Sequence, residues 1–174
     1  SMKLLHFHRQ TVRQQLPCII KKVNVPVYAT RLTIGLIEGK LKEQGLSGKV
    51  SLNIVEPRKT VKMGCMAVEF IKVNHSIPDS VGMAIHTPAG VIVHTGDFKV
   101  DYTPVDDATI DLARFGELGS KGVLALMCDS TNAERDGFTP SEKKVGRVLD
   151  SIFNENRNRR IIIATFASNV ARVQ

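Results

Sequence analysis

Residues 75–80 read HSIPDS and residues 94–99 read HTGDFK. Each segment places a possible metal ligand, His75 or Asp97, at the end of an apolar, β-like run. Strand ends suit metal ligands, because a rigid sheet holds them while the loop stays open to solvent. One histidine and one aspartate do not make a metal site, so the interpretation depends on where further ligands lie.

The composition is that of a soluble globular protein. The chain has 174 residues, of which 43% are hydrophobic and 24% charged, as is usual for such proteins. No apolar run reaches the roughly 18 to 20 residues that span a bilayer, and no secretory signal is visible, so we expect a cytoplasmic protein without a membrane. Cys18, Cys65 and Cys128 are far apart in the sequence and form no zinc pattern, so we expect reduced and mostly buried thiols. Ser1-Met2 has the form of a residue pair left by tag cleavage.

The formal net charge of +7 is compatible with a polyanionic partner such as nucleic acid. The alternative is a soluble protein with scattered lysines, and charge alone leaves both open. Arg157, Arg159 and Arg160 are clustered. This cluster could be a solvated turn or a contact to an RNA backbone.

The apolar pattern predicts alternating strands and helices. Thr30 could cap the first helix, and either Thr139 or Ser141 could cap the last. Residues 82–95 read as a hairpin, and the continuous apolar run 122–128 reads as a strand buried on both faces. The predicted strands are 25–29, 50–55, 66–73, 82–87, 91–95, 122–128 and 160–166, and the predicted helices are 32–41, 108–118 and 139–154.

The last residues of the sequence begin a helix after the predicted strand 160–166. Ser168 and Asn169 would lie at the start of that helix, where free backbone N–H groups can bind phosphate. Simple N-capping by Ser168 is equally open. A strand–helix unit that stops at Gln174 leaves apolar surface uncovered, so we expect a truncated chain.

Several segments, matched in the same order, resemble the ribonuclease J family, which comprises bacterial nucleases with a metallo-β-lactamase fold and an inserted β-CASP domain. The resemblance runs from about residue 16 to residue 174 and rests on segments 25–30, 32–38, 75–80, 94–99, 129–135 and 164–169. It implies an α/β fold, with part of a metallo-β-lactamase αββα sandwich in residues 3–136. The first strand–helix elements of a β-CASP domain would follow in residues 139–174.

The resemblance also implies a zinc-dependent ribonuclease that hydrolyses RNA phosphodiester bonds with metal-activated water. In the family's scheme, His75 matches a ligand of one zinc ion and Asp97 matches the carboxylate that bridges two zinc ions. Both would therefore be catalytic. We expect Asp79 and His94 to support the site through hydrogen bonds rather than to bind the metal. Asp129 would lie in a supporting loop.

The family's His-x-His-x-Asp-His motif has at most a remnant here. His6 and His8 could be its first two ligands, whereas Gln10 and Thr11 stand where the family has Asp and His. We therefore expect the isolated chain to have little or no nuclease activity. The alternative is a catalytically dead fragment that binds RNA or associates with itself through an uncovered sheet edge or apolar face.

Overall fold

The computed structural model of the protein describes residues 16–105 and 107–164. These residues form four helices and seven strands. The helices are α1 (Leu16–Lys22), α2 (Arg31–Glu43), α3 (Leu112–Lys121) and α4 (Glu142–Glu155). The strands are β1 (Val27–Ala29), β2 (Leu52–Ile54), β3 (Thr60–Met63), β4 (Met66–Lys72), β5 (Val81–Thr87), β6 (Gly90–His94) and β7 (Ala125–Met127).

Five of these strands form one sheet in the order β3-β4-β5-β6-β7. Neighbours are antiparallel from β3 to β6, whereas β7 runs parallel to β6. Strands β1 and β2 pair in parallel in a separate sheet. The β5–β6 pair confirms the hairpin predicted for residues 82–95.

The layers follow from side chains that alternate along the strands. In β4, Val68 and Phe70 face one side and pack with Val55 and Met83, with Tyr28 of β1 against the same cluster. Ile71 faces the other side and packs with Ala84, Val93 and Leu118 of α3. Helices α1 and α2 cover the far side of β1, in a cluster that includes Leu16, Val27 and Ile37. The order of layers is therefore α1 and α2, then β1–β2, then the five-stranded sheet, then α3.

A partly buried ion pair joins α3 to the large sheet. The guanidinium of Arg114 donates to both carboxylate oxygens of Glu69, at 2.7 and 2.9 Å. This hydrogen bonding holds the pKa of Glu69 below its usual range and outweighs the opposing effect of burial. Asp111 caps α3 by accepting a hydrogen bond from the backbone N–H of Arg114 at 3.1 Å. It also accepts two from Arg58.

Helix α4 has no buried residue and is fastened at its first turn. Asp101, 4% exposed, accepts hydrogen bonds from the backbone N–H groups of Thr103 at 3.0 Å and Glu142 at 3.1 Å. Lys99 donates to Glu142 at 2.8 Å, and the hydroxyl of Ser141 donates to the Thr103 carbonyl at 2.7 Å. We call these five residues the clasp. Of the two predicted caps, Ser141 is the one that caps α4.

The prediction that 122–128 is a strand buried on both faces is wrong. Strand β7 covers only Ala125–Met127, all of it exposed, and Leu126 is 61% exposed. In the described part of the chain β7 pairs with β6 alone and forms an edge of the sheet. A continuous apolar run therefore marks surface that the described residues do not cover.

Three further predictions are also corrected. Residues 160–164 are not a strand, because no described strand pairs with them, and Ile162 is 86% exposed; residues 165 and 166 lie outside the described part. Helix α3 begins at Leu112 rather than near residue 108, because Asp111 takes the capping position. The cysteines are exposed rather than mostly buried, since they lie on the outer side of α1, in the β3–β4 turn and just after β7.

Strand β3 was missed by the sequence analysis. It pairs with β4 in the register Thr60↔Glu69 to Met63↔Met66. The two residues between them, Gly64 and Cys65, form a tight turn in which Gly64 has a φ of 63°. A glycine in a two-residue gap between two short strand-like runs is the sequence signal that would have predicted this hairpin.

Candidate active site

His75 and Asp97 lie together at one end of the strands of the large sheet. Because β4 and β6 are both antiparallel to β5, they run in the same direction and finish at the same end of the sheet. His75 follows the end of β4 and Asp97 follows the end of β6. The Nε2 atom of His75 lies 3.7 Å from Oδ2 of Asp97, and the two side chains are 28% and 36% exposed. The strand directions thus bring together the pair predicted from the sequence.

Asn74 holds the backbone around this pair, and the sequence analysis did not single it out. It is buried, and its carbonyl accepts a hydrogen bond from the backbone N–H of Lys99 at 2.8 Å. Its side-chain amide donates to the Ala108 carbonyl and accepts from the N–H of Ile110, both at 2.7 Å. Asn74 therefore fastens two other segments, residues 108–110 through its side chain and Lys99 through its backbone carbonyl. The only signal in the sequence was an asparagine at the end of an apolar run, directly before a candidate ligand.

Asp129 also lies near His75. Strand β7 is parallel to β6, so it finishes at the same end of the sheet. The backbone N–H of Asp129, just after β7, donates to the Thr95 hydroxyl at 3.0 Å. Hydrogen bonds from the hydroxyl and backbone N–H of Thr131 hold the pKa of the Asp129 carboxyl below its usual range, with a smaller contribution from the charge of His75. Asp129 is therefore ionised at neutral pH and follows a strand that finishes at the same end of the sheet as the candidate pair.

His94 and Asp79 both make structural hydrogen bonds. The backbone N–H of Gly96 donates to Nδ1 of His94 at 3.0 Å, which orients the imidazole ring within the turn that leads to Asp97. Oδ2 of Asp79 accepts a hydrogen bond from the backbone N–H of Leu32, the second residue of α2, at 2.9 Å. Their supporting role at a metal site stays a prediction.

The donor atoms fit part of a zinc site. Imidazole nitrogen and carboxylate oxygen are ordinary zinc ligands, and two bonds of about 2.1 Å can reach across the 3.7 Å between His75 and Asp97. A catalytic zinc ion takes about three protein ligands. Residues 16–105 and 107–164 contain no group of three or more His, Cys, Asp or Glu side chains placed to hold a metal ion. The candidate ligands His6 and His8, and the candidate phosphate site Ser168 and Asn169, lie outside the described residues.

Comparison with known proteins gives a consistent set of relatives. The chain is 47% identical over 156 residues to ribonuclease J of Synechocystis, a match covering 88% of this chain and 24% of that protein. It is 47% identical over 174 residues to ribonuclease J 1 of Streptococcus pyogenes, covering 100% of this chain and 30% of that one. It is 45% identical over 157 residues to ribonuclease J2 of Bacillus subtilis, covering 90% and 28%.

By sequence, the chain belongs to the ribonuclease J family. It spans about a quarter of the length of these ribonuclease J relatives, 24% in the Synechocystis protein and 30% in the S. pyogenes protein. No family model matches the chain.

A solved structure shows the fold independently of close sequence similarity. A protein of unknown function from Enterococcus faecalis superimposes with a TM-score of 0.66 at 21% identity, over 86% of this chain and 38% of that one. Together with the ribonuclease J relatives, this match shows a mixed α/β fold consistent with part of a metallo-β-lactamase-type fold. None of the described helices has the length and apolar character that crossing a membrane requires.

Proposed function

We propose that the chain carries part of the catalytic centre of a zinc-dependent ribonuclease. The observation that carries this proposal is the distance of 3.7 Å between His75 Nε2 and Asp97 Oδ2 at one end of the sheet, in a chain whose relatives are ribonucleases J. His75 would hold one zinc ion and Asp97 would bridge two. Bound zinc supplies a water that ionises near neutral pH and offsets the charge that develops on the phosphate.

The chain's own residues would orient this half of the centre. Asn74 fixes the backbone on which His75 stands, and the Gly96–His94 hydrogen bond shapes the turn before Asp97. Asp129 adds negative charge beside His75.

The described residues supply two candidate ligands, fewer than a catalytic zinc ion takes. We therefore expect the 174-residue chain to cleave RNA slowly or not at all. We further propose that residues 3–136 belong to the metallo-β-lactamase part and residues 139–174 to the start of a β-CASP domain. The setting would be cytoplasmic, with RNA as the partner.

Zinc binding tests the site directly. Equilibrium dialysis with Zn²⁺ should show binding that His75→Ala and Asp97→Ala each weaken about tenfold or more. Asp136→Ala removes an exposed carboxylate from the loop before α4 and should leave the affinity unchanged. Equal zinc affinity in all four proteins would refute the assignment of His75 and Asp97.

RNA cleavage tests the expected inactivity. A 5′-monophosphorylated RNA is incubated with the chain and added Zn²⁺ or Mn²⁺. Metal-dependent cleavage that Asp97→Ala abolishes would show that this chain is active by itself and overturn our expectation for the isolated chain. The site assignment would then be supported.

The second candidate function is RNA binding or self-association without catalysis. The net charge of +7 favours the former, and the exposed apolar side chains of β7 and α4 favour the latter. Binding through phosphate contacts should weaken steeply as salt rises. No RNA binding at low salt would reject the first form, and light scattering that shows a clean monomer would reject the second.

A further inference from the structure

Helix α2 is capped from outside its own sequence. Thr30 occupies the N-cap position with an extended backbone, but its side chain makes no capping hydrogen bond. Its hydroxyl donates instead to the hydroxyl of Thr33 at 3.1 Å. Oδ2 of Asp79, 47 positions after Leu32, accepts the backbone N–H of Leu32 at 2.9 Å. A carboxylate suits this place, because the free N–H groups of a helix start favour negative charge.

Helix capping alone does not account for Asp79. Its second oxygen, Oδ1, is buried and has no hydrogen-bond partner within residues 16–105 and 107–164. A buried carboxylate oxygen without a donor is unfavourable. Thr30 could cap α2 locally without that cost. The contact from Asp79 therefore does more than cap α2. Because Asp79 belongs to the loop of His75, the contact also ties that loop to the start of α2.

The loop of residues 74–80 is joined to Lys99 and to residues 108–110 at its start, through Asn74, and further bonds close it upon its own base. The backbone N–H of Val73 donates to the Ser80 carbonyl at 3.1 Å, and both the N–H and the hydroxyl of Ser80 donate to the Ile77 carbonyl, at 3.2 and 2.9 Å. The ammonium group of Lys72 donates to the Pro78 carbonyl. These bonds fold the loop but do not join it to the layer of α1 and α2. The bond from Asp79 to Leu32 does.

We propose that Asp79 is a positioning residue for His75. Its bond to the start of α2 fixes the orientation of the 74–80 loop relative to the loop that carries Asp97. This keeps His75 Nε2 at 3.7 Å from Asp97 Oδ2. The importance of this placement rests on the proposed function, in which His75 binds metal. The placement itself can be measured without metal or RNA.

The test is the imidazole NMR spectrum of the labelled 174-residue chain, with the His75 signals assigned through His75→Gln. Asp79→Ala should shift or broaden the His75 ring signals while those of His86, within β5, stay in place. Asp79→Asn should restore the His75 signals, because an amide oxygen can still accept the Leu32 N–H. In a zinc titration, Asp79→Ala should weaken binding about 10- to 100-fold.

Two controls separate positioning from plain helix stability. Asp111→Ala removes the N-cap of α3 and should lower the thermal midpoint without moving the His75 signals. The double variant Asp79→Ala with Thr30→Asp supplies a local cap to α2, and should recover stability while the His75 signals stay perturbed. It also keeps the test open if Asp79→Ala alone does not fold.

Unchanged His75 signals in Asp79→Ala, or their full recovery in the double variant, would overturn the proposal and leave Asp79 as a helix cap. A perturbed His75 with no zinc binding in any protein would instead count against the proposed function and leave the positioning role standing.

Discussion

Replacement of Asp101 by alanine should release helix α4 from the rest of the chain. Asp101 is 4% exposed, and its carboxylate accepts the backbone N–H groups of Thr103 and Glu142 at 3.0 and 3.1 Å. Burial would raise the pKa of this carboxyl, but these hydrogen bonds, with those of Ser141 and Lys99, outweigh it and lower the pKa. Asp101 is therefore ionised at neutral pH and makes charge-assisted bonds.

The magnitude follows from what is lost. A helix cap contributes about 1 kcal/mol, and a hydrogen bond to a charged group contributes about 1.5–3 kcal/mol. The two bonds share one carboxylate and are not additive, so we expect a loss of about 3 kcal/mol. Because α4 has no buried residue, most of this loss should appear as local opening of the helix rather than as global unfolding. Since about 1.4 kcal/mol corresponds to tenfold, amide exchange should speed up by about two orders of magnitude.

Hydrogen–deuterium exchange of residues 142–155 measures this directly. Lys143→Ala is the matched control, because it removes an ion pair to Asp107 at the same turn whose side chains are 42% and 82% exposed. An exposed pair of this kind is worth at most about 1 kcal/mol, so exchange should change by less than about fivefold. Equal effects of Asp101→Ala and Lys143→Ala would refute the reasoning, and so would an unchanged exchange rate in Asp101→Ala.

Two further predictions concern acid stability and the edge of the site. Among the described residues, four carboxyl groups have lowered pKa values in the folded chain, namely Glu69, Asp101, Asp111 and Asp129. Their stabilisation is present above the ordinary carboxyl range near pH 4 and is lost as pH falls through the lowered values, so the urea midpoint should fall steadily below about pH 5; a midpoint independent of pH between 5 and 3 would contradict this. Gly82→Ala would place Cβ 2.8 Å from the Thr95 carbonyl oxygen and should destabilise the chain by about 1–3 kcal/mol in thermal melts. Gly116→Ala, on the open side of α3, should instead be neutral or stabilising by up to about 1 kcal/mol. Similar melting midpoints for the two variants would contradict the expected clash at Gly82.

The sequence predicted the pair at the site because of local patterns. His75 and Asp97 each follow an apolar run, and the two strands formed by these runs are both antiparallel to β5, so they finish at the same end of the sheet. Asp79 was expected to support the site through hydrogen bonds, but the sequence could not reveal the bonding partners of Asn74, Asp79 or Asp101. Each of these side chains bonds to a segment 34 to 47 positions away, and such bonds leave no periodic trace in the chain.

The errors have a common physical origin. Runs 122–128 and 160–166 are apolar enough to be core strands, yet Leu126 and Ile162 are largely exposed. Hydrophobic pattern reports which surface a residue is suited to bury, not whether a partner for that surface is present among the described residues. In the same way, the exposed cysteines show that the residue type alone does not fix burial.

The clasp gives helix α4 the mechanics of a lever. A helix of 14 residues is about 21 Å long, and α4 is fastened only near its first turn in the described part of the chain. A tilt of about 10° at the clasp would carry its far end through about 4 Å. Lys99 and Asp101 lie two and four residues after Asp97. A force applied to the far end of α4 would therefore be transmitted through the clasp to the loop that carries Asp97.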